Sequence, residues 1–392
     1  MNILYIIYAV VFMFSLLMGF LVMPRIVSIS IHKRLVDLPD ERRVHKAPCP
    51  RLGGISFLPL ALMSVFLFNG LCVLVLGASV SSTDTPTFVR MQFCGMGAML
   101  LYLIGEADDL VGVNYKAKFV AQLVAACLFP LSGLCLNNLG GLFGIHQLPA
   151  FVGIPLTLFL VVYITNGINL IDGVDGLASG ICILTFILYA SMFIFLNHPV
   201  FAAICLSILG VLTVFFIFNV FGGKRTGLRK LFMGDTGSLT LGYVISFLVV
   251  HISTFNVHRV FVMSGAFYAA LSPLIIPLFD IVRVVYARYR DRVPLFAPDK
   301  RHIHHKLLRA GLSPRGVMVT LLLLTVYFIG LNALLSHYVS ATWVLSADVL
   351  SWVVMHLAIN RCIYRTNRLR PELAIRYENP KNTIPEKNKF AL

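Results

Sequence analysis

Asn166, Asn169, Asp172 and Asp175 recur at intervals of three within TNGINLIDGVDGLASG, residues 165–180. At a helix end this spacing keeps the side chains near one face. Gly173 and Gly176 then free the backbone to turn, so that Asp175 reaches the same place. Amides and carboxylates so gathered suit base edges, ribose hydroxyls or a metal. An EF-hand would need a longer run of ligands and a terminal Glu, and neither is present.

Further acids stand in similar positions. Asp108 and Asp109 follow Glu106 in LIGEADDLVG, and Asp235 sits in LFMGDTGS. Adjacent carboxylates repel unless a cation or a shared proton neutralises them. Magnesium takes one or two carboxylates together with substrate phosphate oxygens, which makes Asp235, Asp108 and Asp109 the candidate metal ligands. Gly234 and Gly237 flank Asp235 at an expected helix start, where backbone N–H groups favour an anion. A plain helix cap is the competing reading for each acid taken singly. For Glu106, and for Asp280 in PLIIPLFDIVR, a cap or a solvated interface residue is at least as good an account. Asp348, inside an apolar run, has no partner that the sequence names.

The other dense stretch is PDKRHIHHKL, where His302, His304 and His305 adjoin Lys300, Arg301, Lys306 and Arg309. Closely spaced histidines suit zinc, but these cationic neighbours repel a metal and no acid lies closer than Asp299. Donors to a diphosphate or to sugar hydroxyls fit better. In RRVHKAPCPRLGG, His45, Lys46 and Arg51 are phosphate-contact candidates, with a merely basic membrane-flanking loop as the alternative.

The chain that must position these groups has 392 residues, 58% hydrophobic and 12% charged. Soluble domains carry roughly 25% charged residues, so an all-α integral membrane protein is expected. Eleven apolar runs approach the length that crosses a bilayer, at about 2–24, 54–78, 91–105, 119–136, 150–165, 178–196, 200–221, 237–253, 262–286, 316–336 and 342–360. The third and fifth are short. All but Arg90 and Arg259 of the 32 Lys and Arg residues fall on one face of this arrangement. The positive-inside rule makes that face cytoplasmic, with the N-terminus outside and the C-terminus inside. Every candidate acid maps to cytoplasmic helix ends. The expected layout is a single membrane domain, 1–360, with cytoplasmic loops 25–52, 105–118, 166–178, 222–236 and 287–315, and a polar tail, 361–392.

Topology bias and attraction to anionic lipid account for most of the net charge of +15, so nucleic acid is not an expected partner. The eight cysteines show no metal or disulfide spacing. A metalloprotease motif of the H-E-x-x-H kind is absent. A secondary transporter is the rival from another class, but transporter sites lie near the midplane between repeated halves; here the acids share one face and no repeat is visible.

The segments HKAPCPRLGG, GEADD, NGINLIDGVDGL, FMGDTGS and PDKRHIHHKL, in this order over about residues 45–311, resemble the polyprenyl-phosphate N-acetylhexosamine-1-phosphate transferases. That membrane family includes WecA-type and MraY-type enzymes, and the histidine motif resembles the WecA type more closely. The resemblance implies a helical bundle in the bacterial cytoplasmic membrane with its active site facing the cytoplasm. It implies transfer of GlcNAc-1-phosphate, or a related sugar phosphate, from a UDP-N-acetylamino sugar to polyprenyl phosphate, releasing UMP. Magnesium is the implied cofactor, with manganese a substitute; phospho-N-acetylmuramoyl-pentapeptide transfer is the alternative within the family, and a homodimer is an allowed assembly. By motif match Asp235 is a magnesium ligand, Asp108 and Asp109 serve metal or lipid phosphate, and Asp172 and Asp175 are nucleotide-site acids. Phe232 matches an aromatic that stacks on uracil, and Asn219 matches a polar site residue.

A lipid phosphate monoester, with a second pKa near about 6, is mostly dianionic at neutral pH. The obstacle to its attack on a diphosphate is therefore electrostatic rather than a missing general base. Single displacement is the expected route, with a phospho-aspartyl intermediate as the other possibility.

Overall fold

The computed structural model describes residues 2–33, 35–37, 49–77, 85–223, 230–254, 266–294 and 301–369. His45, Lys46 and most of the expected tail lie outside them. The described chain is helical: α1 (Asn2–His32), a 3-10 turn (Leu52–Ser56), α2 (Phe57–Leu76), α3 (Thr85–Val111), α4 (Tyr115–Leu131), α5 (Ala150–Ile171), α6 (Leu177–Phe195) and α7 (Pro199–Phe221). It continues with α8 (Gly234–Thr254), α9 (Ala266–Leu271), a second 3-10 turn (Ser272–Leu274), α10 (Ile275–Arg290), α11 (Ile303–Arg309), α12 (Pro314–Leu335) and α13 (Ala341–Leu369). Among the described residues the strand content is one antiparallel pair, Val36–Asp37 with Cys49–Pro50.

Ten segments among the described residues are long and apolar enough to cross a membrane, against eleven expected. The difference is α4, whose 17 residues reach only about 25 Å at ~1.5 Å per residue, although it runs antiparallel to α3, from Lys118 beside Asp108 to Gly133 beside Arg90, and so still returns the chain to the opposite end of the bundle. It stops at Ser132, whose N–H bonds back to Leu128 and Phe129, followed by Gly133 at φ 73°. The run expected at 262–286 is also broken. α9 and α10 are separate helices joined by the 3-10 turn carrying Pro273, a residue whose ring and missing N–H interrupt a continuing helix.

The two runs read as short are long helices instead. α3 has 27 residues and α5 has 22, so Asp108, Asp109, Asn166 and Asn169 ride on final helical turns, not in loops. α3 ends where Gly112 takes φ 75°, the left-handed conformation that commonly stops helices. The Asp108 side chain accepts the Val113 N–H at 2.7 Å, which braces the reversal into α4. Asn114 then caps α4, accepting the Lys116 N–H at 3.1 Å.

The bundle is built around α8. Every residue from Thr236 to Ile252 is buried, and α3 and α5 pack along it. α1, α2 and α6 gather on α7. Close approach at the head of α8 requires glycine: a β-carbon on Gly105 of α3 would stand 2.5 Å from the Thr236 Cα, and one on Gly54 would stand 2.2 Å from the Gly237 nitrogen. The partner of Asp348 is Asn332 on the preceding helix, whose amide donates to it at 2.9 Å with both residues buried.

Candidate active site

The sequence places an acid or amide at the end of each of three helices, and the fold brings these ends together. Asp109, on the last turn of α3, accepts the Asp235 N–H and the Thr236 N–H at 2.9 Å each, and the Thr236 hydroxyl at 2.7 Å. It therefore caps α8 from another helix, satisfying amides that a helix start leaves open and complementing the positive end of the dipole. Asp109 was expected as a metal ligand; its oxygens are engaged by these three donors.

Asp235, at the start of α8, has a different surrounding. Its Oδ2 receives Lys118 Nζ at 2.8 Å and its Oδ1 receives the Asn169 amide at 3.1 Å. The same ammonium lies 3.1 Å from Asp108 Oδ2. Lys118, in the first turn of α4, is thus the cation between two carboxylates from α3 and α8. Sequence reasoning passed over it. The available signal was a lysine entering an apolar run seven residues beyond the end of α3, where a purely lipid-facing helix gains nothing from a charge. Asn169 also donates to Ser238 Oγ at 2.9 Å, and Asn166 donates to Gln122 Oε1 at 2.6 Å.

The DGVDG turn separates its two acids. Asp172 opens to the cavity described below and is enclosed by protein on its other sides. That enclosure, and then the negative charges of Asp175, Asp235 and Asp109, raise its carboxyl well above the usual carboxylate range. Asp175 instead pairs with Lys230, whose ammonium lies 5.4 Å from the centre of the Phe232 ring. Asn219 stands behind this turn: its oxygen accepts the Gly176 N–H and its amide donates to the Leu231 carbonyl at 2.8 Å. It holds the turn to the segment preceding α8.

The histidine motif folds over the same place. Asp280 on α10 is buried, and its carboxylate collects His302 Nδ1 at 2.8 Å, the Ile303 N–H at 3.1 Å and the Arg283 guanidinium at 2.7 Å. Asp280 is no solvated interface acid. His304 is buried against His302, with their rings 5.8 Å apart and nearly parallel, and against His305 at 4.3 Å. Burial, then the cationic or protonatable neighbours, hold its imidazole well below the usual range, so His304 is neutral rather than a charge-assisted donor. Arg301 is directed to Asp291 at 2.8 Å and the Ala287 carbonyl at 3.1 Å. Arg288, not singled out in the sequence, is the guanidinium that lines the cavity.

That cavity has a volume of about 980 Å³. One part of its wall is polar, formed by Lys118, Asn169, Asp172, Asp235 and His302, His304 and His305. The rest is apolar, formed by Phe119, Leu123, Leu158, Phe159, Val162, Ile281 and Val285 from α4, α5 and α10. Among the described residues no three His, Cys, Asp or Glu side chains converge closely enough to hold a metal by themselves. The donors nonetheless fit magnesium. Asp235 and Asp108 offer hard oxygens, and the charge crowding at Asp172 is what a divalent cation relieves, with substrate phosphates completing the shell.

Residues 91–253 match the family model described as glycosyl transferase family 4. The chain is 32% identical over 356 residues to a Bacillus subtilis (strain 168) protein named "Probable undecaprenyl-phosphate N-acetylglucosaminyl 1-phosphate transferase", covering 89% of this chain and 90% of that one. It is 31% identical to a Yersinia pestis undecaprenyl-phosphate alpha-N-acetylglucosaminyl 1-phosphate transferase, over 80% of this chain and 79% of the relative. An Escherichia coli (strain K12) protein of the same name is 28% identical, over 83% and 84% respectively. With identity of this extent over most of its length, the chain belongs to glycosyl transferase family 4, among its polyprenyl-phosphate N-acetylhexosamine-1-phosphate transferases.

Proposed function

We propose that this protein transfers GlcNAc-1-phosphate from UDP-GlcNAc to undecaprenyl phosphate, releasing UMP and beginning a lipid-linked cell-envelope glycan. One observation carries the reading: a single cavity joins a charged head, with Lys118, Asp235 and Asn169, to a long apolar wall between α4, α5 and α10. That is the shape of a ligand with a phosphate at one end and a hydrocarbon chain at the other. The names of the relatives supply the acceptor and the sugar.

In this reading the lipid phosphate oxygen attacks the β-phosphorus of the donor. A phosphorus–oxygen bond forms to the lipid as the bond to UMP breaks. Two anions must meet, so positive charge at the point of contact lowers the barrier. Lys118 supplies it from the α4 end and Arg288 from α10, while Asn169 fixes the Asp235 carboxylate. Magnesium held by Asp235 and Asp108 supplies further charge neutralisation when bound. The Asp175, Lys230 and Phe232 group is assigned to the nucleotide, and the histidine motif to the sugar and diphosphate. The clustering of basic residues toward the site's end of the bundle supports a cytoplasmic active site, an N-terminus outside and a C-terminus inside.

The test is UMP release by purified protein given undecaprenyl phosphate and a panel of UDP-sugars that includes UDP-GlcNAc and UDP-N-acetylmuramoyl-pentapeptide, with and without magnesium. Turnover with UDP-GlcNAc, dependent on lipid and metal, is expected. Absence of UMP with every UDP-N-acetylamino sugar sinks the proposal.

A further inference from the structure

His302 lines the cavity, but its orientation is decided from behind. Its Nδ1 lies 2.8 Å from Asp280 Oδ2. Asp280 is 1% exposed and His302 8%, so neither is swung about by solvent. The carboxylate is itself fixed by the Arg283 guanidinium, through Nε at 3.1 Å and an NH2 nitrogen at 2.7 Å, and by the Ile303 N–H at 3.1 Å. Arg283 also donates to the Arg301 carbonyl, which ties the chain just before His302 to α10.

A carboxylate has no proton to give, so a histidine nitrogen at 2.8 Å from it must be the N–H. The negative charge of Asp280 is already answered by Arg283. In the neutral ring the other nitrogen, Nε2, carries the lone pair. Among the described residues no protein group hydrogen-bonds to it.

We propose that Asp280 is a positioning residue for the transfer reaction: it holds His302 with the proton on Nδ1 and presents Nε2 to the cavity as a hydrogen-bond acceptor for a hydroxyl or amide N–H of the donor sugar. This rests on the assignment of the histidine motif to the sugar end of the donor. It gives His302 a task different from the cationic groups around it, which suit the diphosphate. An acceptor among donors is what distinguishes a sugar from another phosphate, because phosphate oxygens have no proton to offer it.

Histidine 15N chemical shifts in the detergent-solubilised wild-type protein, assigned by the signals lost in His302→Gln, report the tautomer without any turnover. A protonated Nδ1 and a bare Nε2 are expected; a proton on Nε2 overturns the proposal. Steady-state kinetics then test the coupling. Asp280→Asn reverses the polarity offered to Nδ1 and is expected to cut kcat/KM for the UDP-sugar about 10- to 100-fold, as His302→Gln does, with Asp280→Glu partly restored. The double variant is expected to be no worse than His302→Gln alone, since both changes remove one function. Multiplying defects, or a fully active Asp280→Asn, overturn it. Loss of folding in Asp280→Asn, seen by thermal unfolding, leaves the wild-type spectrum to decide. If wild-type protein does not consume UDP-GlcNAc, the donor assignment fails, while the tautomer result stands separately.

Discussion

Gly173 lies directly beneath the His304 imidazole: a β-carbon at residue 173 would stand 2.3 Å from His304 Nε2. The turn that carries Asp172 and Asp175 is thereby packed against the histidine motif, although some 130 residues of chain, roughly a third of its length, separate them. No carbon fits at 2.3 Å, so the glycine is a condition of the site's closure.

Gly173→Ala is expected to push the α11 histidines away from the DGVDG turn while leaving the membrane helices in place. Displacements of about 1 Å at reacting centres cost on the order of 10²-fold in rate. A loss of at least tenfold in UMP release with an essentially unchanged melting temperature is expected; normal turnover contradicts the contact.

Lys118 is the cation shared by Asp108 and Asp235. Lys118→Gln keeps much of the side chain's length and hydrogen-bonding capacity but removes the charge, leaving two carboxylates without their ammonium. Turnover is expected to fall about 100-fold or more, the scale seen when one preorganised electrostatic group is lost. Steady-state UMP release measures this, and an active variant removes Lys118 from the mechanism.

Asp109 and Asp235 are separable by what they do. Asp109 caps α8, and Asn offers it only one acceptor oxygen for three donors, so Asp109→Asn is expected to destabilise the protein by about 1–2 kcal/mol. Asp235→Asn leaves that cap intact and is expected to abolish turnover without lowering the melting temperature. Thermal unfolding alongside kinetics distinguishes the two; equal loss of stability in both contradicts the division of labour.

Asp172 yields a pH-dependent expectation. Its carboxyl is raised by enclosure and by Asp175, Asp235 and Asp109, so the folded state holds this proton more tightly than the unfolded chain, which releases it near about 3.9. Stability from this residue therefore falls as pH rises from the ordinary carboxylate value through the raised one, and the penalty is complete above it. Asp172→Asn removes the penalty. The variant is expected to melt higher than wild type at pH 8, with the difference vanishing toward pH 4, when no metal or substrate is present.

The Asp348–Asn332 pair is remote from the cavity. Asp348→Leu is expected to cost about 0.6–1.7 kcal/mol, the range for hydrogen bonds between membrane helices. UMP release at a temperature where the variant stays folded is expected to match wild type.

Much of this site is legible in the sequence because its acids and amides sit at helix ends, where charge in so apolar a chain has few structural uses. The convergence of Asp108, Asp109, Asn169 and Asp235 follows from their being on one side of the bundle. What each does is less legible. Asp109 and Asp235 look equivalent in a string of letters, yet one caps a helix and the other faces a lysine, a difference set by the packing of α3 on α8. Lys118 was hidden because a basic residue near a membrane boundary is ordinary. Asp280 reads as an interface residue until the fold lays His302, 22 residues later, against it. The length of α3 and α5 was underestimated because polar residues lower hydropathy where the helix nevertheless continues.

Seventeen consecutive residues of α8, Thr236 to Ile252, touch protein on all sides. Annular lipid never reaches the helix that carries Asp235. Shorter or more fluid acyl chains, as when growth temperature changes, strain the outer helices through hydrophobic mismatch, while the depth of the Asp235 carboxylate is set by its protein neighbours. The bundle's perimeter adapts to the bilayer, and the chemistry keeps its height.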